Sequence, residues 1–127
     1  MSDGIEKRHV WEGANITLMA RVTKPDGTNI TQASISSIAM KVFALSDSAQ
    51  VGVTAALTVA SVVSDSLVTT TPWTKDTTGY NFTYELTGST YLPNGGETYR
   101  IEIVFTLAAG GTVPVVYEPT TRNLLGS

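Results

Sequence analysis

The residues with the means to do chemistry are few, and they are scattered. Glu102 and Glu118 are expected to face each other across the last β-hairpin, and paired carboxylates are the equipment of acid/base catalysis or calcium binding. Asp47 and Asp65 each stand between serines, and Asp76 precedes Gly79, but none has the dense oxygen spacing of a calcium loop. The sequence contains one histidine, His9, and no cysteine, so Cys-based metal, nucleophile and disulfide chemistry is excluded. Gly95-Gly96 and Gly110-Gly111 lead into strands rather than helices and are followed by no lysine, so they read as turn glycines and not as a phosphate cradle.

The reading of these groups is therefore structural: opposed carboxylates on an outer strand face, relieved by Arg100 or Lys41, and aspartates in turns. No catalytic residue, metal site or cofactor site is assigned, and the chain is expected not to be an enzyme. Sequons at Asn15, Asn29 and Asn81 follow from a threonine-rich strand composition. Trp11 and Trp73 offer an aromatic platform of the kind that stacks on sugars, although packing at the core or its rim is the commoner use of tryptophan.

The elements that would position these residues are strands. Alternation with a period of two runs through Ala14–Val22 and Ile38–Leu45, then Val51–Val59 and, more weakly, Val62–Thr69. It returns in Tyr80–Leu86, Tyr99–Leu107 and about Thr112–Glu118. Lys24–Gly27 reads as a turn, Thr31–Ser37 as a single helical turn, and Thr70–Gly79 as a loop. No segment carries a helical repeat over three turns. About seven or eight short antiparallel strands in 127 residues predict one all-β domain, an immunoglobulin-like β-sandwich, with polar terminal arms at about 1–10 and 119–127.

Two finer expectations follow. If Phe105 and Val115 pair on the core face, Ala108 lies opposite Thr112 and the hairpin loop is Ala109-Gly110-Gly111. The same register sets Val104 opposite Val116 on the outer face, a pair of exposed valines that marks an interface. Tyr99, at the start of a strand after Asn94-Gly95-Gly96-Glu97, is placed for a tyrosine corner, in which the hydroxyl bonds back to the preceding backbone.

Charge narrows the partners. Only 15% of residues are charged, the net charge is -3 and there is no basic cluster, so no nucleic-acid footprint exists. Met1–Arg8 lacks the apolar core of a secretory leader, and no stretch approaches the ~18 apolar residues of a membrane helix. Low charge and free strand edges favour a homo-oligomer.

The runs Ile16–Val22, Ile30–Ile38, Trp73–Phe82 and Thr98–Glu102 resemble small uncharacterised immunoglobulin-like proteins of tailed phages and prophages, over most of the chain. That resemblance brings no catalytic residues with it. It implies a virion protein, such as a capsid decoration or a neck- or tail-associated subunit, made in the host cytoplasm and bound to other virion proteins through a sheet face or edge. The alternative is a carbohydrate- or surface-binding adhesin module using Trp11 and Trp73.

Overall fold

A computed structural model describes residues 5–69 and 78–124. Strands β1 (Ile5–Trp11), β2 (Ile16–Ala20) and β3 (Ile35–Ala44) are followed by the short β4 (Ala49–Gln50) and β5 (Ala55–Leu57). A single turn, α1 (Val59–Val62), leads into β6 (Val63–Val68). After β7 (Tyr80–Leu86) comes a second turn, α2 (Gly88–Tyr91), and then the hairpin of β8 (Tyr99–Leu107) and β9 (Thr112–Arg122). They form an all-β sandwich of two sheets: one runs β1-β9-β8-β3-β4, with β5 also on β3, and the other runs β2-β7-β6.

Alternation builds the core between the sheets. Ile38, Met40 and Val42 from β3, and Ile101, Ile103 and Phe105 from β8, face Leu18, Phe82 and Leu86 of the smaller sheet, all of them buried. Phe82 and Phe105 meet edge-on, with centroids 5.2 Å apart and planes at 85°. That geometry sets the positive edge of one ring on the negative face of the other.

The strands β1 and β9 differ from expectation. Where they are described, the expected arms at 1–10 and 119–127 contribute strand over 5–10 and 119–122: β1 pairs with β9 in parallel, from Ile5 opposite Val116 to Trp11 opposite Arg122. The polar residues of β1 stand on the sheet margin, while those of 119–122 continue β9. β9 is thereby an inner strand, yet it carries two prolines, which cannot donate to a ladder. Both occupy places where a donor is not needed. Pro114 precedes the first β1 partner, and Pro119 falls in the gap between the Ile101–Tyr117 pair and the isolated Thr98–Thr120 bridge.

The final hairpin also corrects the expected register. Phe105 pairs with Val113, Ile103 with Val115 and Val104 with Pro114, so β9 is displaced by two residues. The sides of the strands are unchanged, because a shift of two preserves the pleat. Gly110 N–H donates to Leu107 C=O and Leu107 N–H donates to Gly111 C=O, each at 3.0 Å, so the loop closes one residue earlier than expected, at Ala108-Ala109-Gly110. Gly110 takes φ of 104°, which only glycine adopts freely.

Elsewhere, Val51–Val59 is not one strand. Gly52 has φ of 69°, Val53 is 76% exposed, and Val59 begins α1, so alternation in sequence is not matched by a continuous extended backbone.

Buried polar groups tie the layers. The Tyr99 hydroxyl lies 3.1 Å from Asn94 N–H, which donates to it, and 3.4 Å from Asn94 C=O, the bond expected of a tyrosine corner. The Tyr117 hydroxyl donates to Met19 C=O at 3.0 Å, and Arg8 Nη1 donates to Thr17 C=O at 3.2 Å. Side chains from the large sheet thus occupy two carbonyls along the free edge of β2, which hinders addition of a foreign strand there.

The Lys24–Gly27 turn is held by Asp26, whose Oδ1 accepts from Thr28 Oγ1 at 2.6 Å and from Thr28 N–H at 3.0 Å. The hydroxyl bond, followed by the backbone bond, holds the Asp26 carboxyl below its ordinary value of 3.8. The contribution of these bonds is present above that value and is lost as pH falls through the lowered folded value. An NMR titration is expected to show an Asp26 midpoint below 3.8, moving upward in Thr28→Val; an unchanged midpoint in the variant contradicts this account.

Candidate interaction surface

The outer face of the six-stranded sheet gathers the residues singled out for an interface. Residues that register across strands share a face, which gives this surface a row structure. One row reads Pro114, Val104, Ala39, Ala56, crossing β9, β8, β3 and β5. Val104 is half-buried, and the other three are exposed. The next row reads Val116, Glu102, Lys41, and the one beyond it carries Arg100, Phe43 and Gln50.

Val104 and Val116 therefore lie on one face, as expected, but not opposite each other. Val104 faces Pro114 and Val116 faces Glu102. The apolar feature is a belt of small side chains crossing four strands. Pro114, Ala39 and Ala56 escape a reading of the sequence, because β3–β8 and β3–β5 pairing is non-local and alanine carries no strong inside or outside signal.

The two carboxylates do not oppose each other either. Glu118 Oε2 accepts from Arg100 Nε at 2.8 Å and Nη2 at 2.5 Å, while Glu102 has Lys41 as its cross-strand neighbour. The two-residue shift of β9 is the reason. It exchanges carboxylate opposition for one ion pair that bridges β8 and β9. Glu102 and Lys41, by contrast, have no ionic or hydrogen-bonding partner among the described residues.

Asp47 Oδ1 accepts from Ala49 N–H at 2.9 Å and Asp65 Oδ1 from Gln32 N–H at 2.7 Å, so both serve backbone, while Asp76 lies outside the described residues. Among the described residues no group of three His, Cys, Asp or Glu side chains could hold a metal ion, and no helix is long and apolar enough to cross a membrane. The Asn81 sequon is buried, its side-chain amide committed to backbone.

Trp11 ends β1 and is 53% exposed. It borders an open depression of about 620 Å³ with Gly96, Thr121, Arg122, Asn123 and Leu124. Trp73, its expected companion, lies outside the described residues. A separate cleft of about 590 Å³ lies beside β5, α1 and the Tyr84–Glu85 stretch of β7. Burial, and then the nearby Tyr91, raises the Tyr84 hydroxyl above its ordinary value.

Compared with known proteins, the chain matches no family model, no curated protein and no solved structure.

Proposed function

We propose that this chain is a non-enzymatic virion structural protein that docks on virion proteins, its own copies included, through the outer face of its six-stranded sheet. The observation that carries the reading is the belt of Pro114, Val104, Ala39 and Ala56, flanked by Val116. Contiguous apolar surface on a sheet face is what a protein partner buries. The likeness of the sequence to phage immunoglobulin-like proteins supports a particle as the setting.

Val104→Asp places a charge at the centre of the belt without touching the core. Mass spectrometry of purified virions is expected to find the wild-type chain in the particle and the folded Val104→Asp chain depleted at least ten-fold. Particles that lack the wild-type protein, or that retain the variant in full, overturn the reading.

The exposure of Trp11 beside Arg122 and Asn123 favours a second reading, a carbohydrate-binding module in which the indole stacks on a sugar. A glycan array in which Trp11→Ala abolishes a wild-type signal supports it, and a silent wild-type array rejects it.

A further inference from the structure

The charges beside the apolar belt have a symmetry of their own. Glu102 on β8 and Lys41 on β3 are cross-strand neighbours, with Val104 and Ala39 as the next outward-facing pair along the same two strands. A twofold axis lying on the face, parallel to the strands and midway between β8 and β3, exchanges the two columns between facing molecules. Glu102 of each copy then meets Lys41 of the other. Val104 meets Ala39, and Pro114 meets Ala56, so a larger side chain faces a smaller one at each belt position. In the following row Arg100 comes over Phe43, a cation on an aromatic ring.

We infer that this face pairs with a second copy of the chain in an isologous, face-to-face dimer centred between β8 and β3. The inference rests on the reading of the face as a docking surface and specifies its occupant. Self-complementarity is the requirement of a twofold interface, in which one patch must fit itself. A foreign partner would need no such pattern.

Glu102 and Lys41 have no ionic or hydrogen-bonding partner among the described residues, whereas Arg100 and Glu118 are already paired. The dimer pairs these charges in two Glu102–Lys41 contacts, one in each direction. The patch spans four strands and about five residues, roughly 20 Å by 17 Å from strand spacing and rise. That is smaller than the ~800 Å² per partner of a standard stable interface, so the dimer is of the weak, concentration-dependent kind.

The test is charge exchange, read by sedimentation equilibrium of the full chain at low ionic strength, where exposed charges are least screened. Glu102→Lys alone sets lysines against lysines at both contacts, and Lys41→Glu alone sets glutamates against glutamates. Each is expected to weaken dimerisation at least ten-fold. An equimolar mixture of the two variants restores attraction at both contacts and is expected to form a heterodimer of near wild-type affinity. The double variant Glu102→Lys/Lys41→Glu is expected to regain the homodimer.

Rescue on mixing cannot arise from misfolding of either variant. A wild-type chain that stays monomeric at 1 mM, a dimer indifferent to the single exchanges, or a mixture that fails to associate overturns the inference. The virion experiment stands apart from these outcomes, since a chain monomeric in solution can still be retained on particles through Val104.

Discussion

Gly88→Ala is expected to cost about 3 kcal/mol or more, the scale of overpacking against groups that cannot yield. A Cβ at this position would stand 1.9 Å from the carbonyl oxygen of Ala14 and 2.4 Å from its carbonyl carbon. These are backbone atoms, so no rotamer change relieves the overlap. The surrounding bonds oppose a backbone shift: Gly88 N–H donates to Asn15 Oδ1 at 3.0 Å, and Gly13 N–H donates to Leu92 C=O at 2.9 Å.

Moving α2 away from the β1–β2 turn would also withdraw Tyr91 and Leu92, both buried in the core. Gly110→Ala is the informative comparison. It meets no atom within 4 Å and pays only for its φ of 104°, about 1–2 kcal/mol. Urea denaturation of the two variants should therefore separate a clash from a conformational preference. Equal midpoints would mean that the α2 contact is soft.

Gly88 also shows where sequence and structure part company. Alternation in Tyr80–Leu86 and Tyr99–Leu107 is legible because each strand offers one side to a common core, and the side a residue takes depends on parity alone. Parity cannot fix the offset between two strands. Pairing Phe105 with Val115 or with Val113 keeps the same residues inside, and the turn over Leu107–Gly110 decides for Val113.

Contacts between distant segments leave still less trace. The parallel β1–β9 ladder joins opposite ends of the chain through residues that are mostly polar, so nothing local announces it. The packing of Gly88 on Ala14 is another such contact. For the candidate surface, Val104 and Val116 were legible as apolar residues at solvent positions. The belt was not, since it exists only once β3 lies beside β8 and β5 beside β3.

Asn81→Asp is expected to convert a buried hydrogen-bonding element into a pH-dependent defect. The β2–β7 ladder ends in regular pairing at Ala20 opposite Phe82, and the Asn81 side chain extends it. Asn81 Oδ1 accepts from Val22 N–H at 2.7 Å, and Nδ2 donates to Val22 C=O at 2.9 Å, in a residue only 1% exposed. An ionised aspartate keeps the first bond but turns a second acceptor toward the Val22 carbonyl, while burying a charge. At pH 7 the expected loss is about 3–5 kcal/mol, the scale of an uncompensated buried charge.

Protonation restores a donor at the same place, so the folded state holds the proton more tightly than the unfolded chain and the folded value of this carboxyl is raised. The sign follows from that difference: the bond to Val22 C=O is present below the unfolded value of about 3.9 and is lost as pH rises through the raised folded value. The stability difference between wild type and Asn81→Asp should therefore shrink to about 1 kcal/mol near pH 3.5, approaching the scale of one neutral hydrogen bond. Asn81→Leu, which leaves the Val22 groups unpartnered at every pH, should show a deficit that does not vary. Urea denaturation of the three proteins between pH 3.5 and 7 reads both slopes. A deficit in Asn81→Asp as flat as that of Asn81→Leu would show that the Val22 carbonyl does not sense the side chain at position 81.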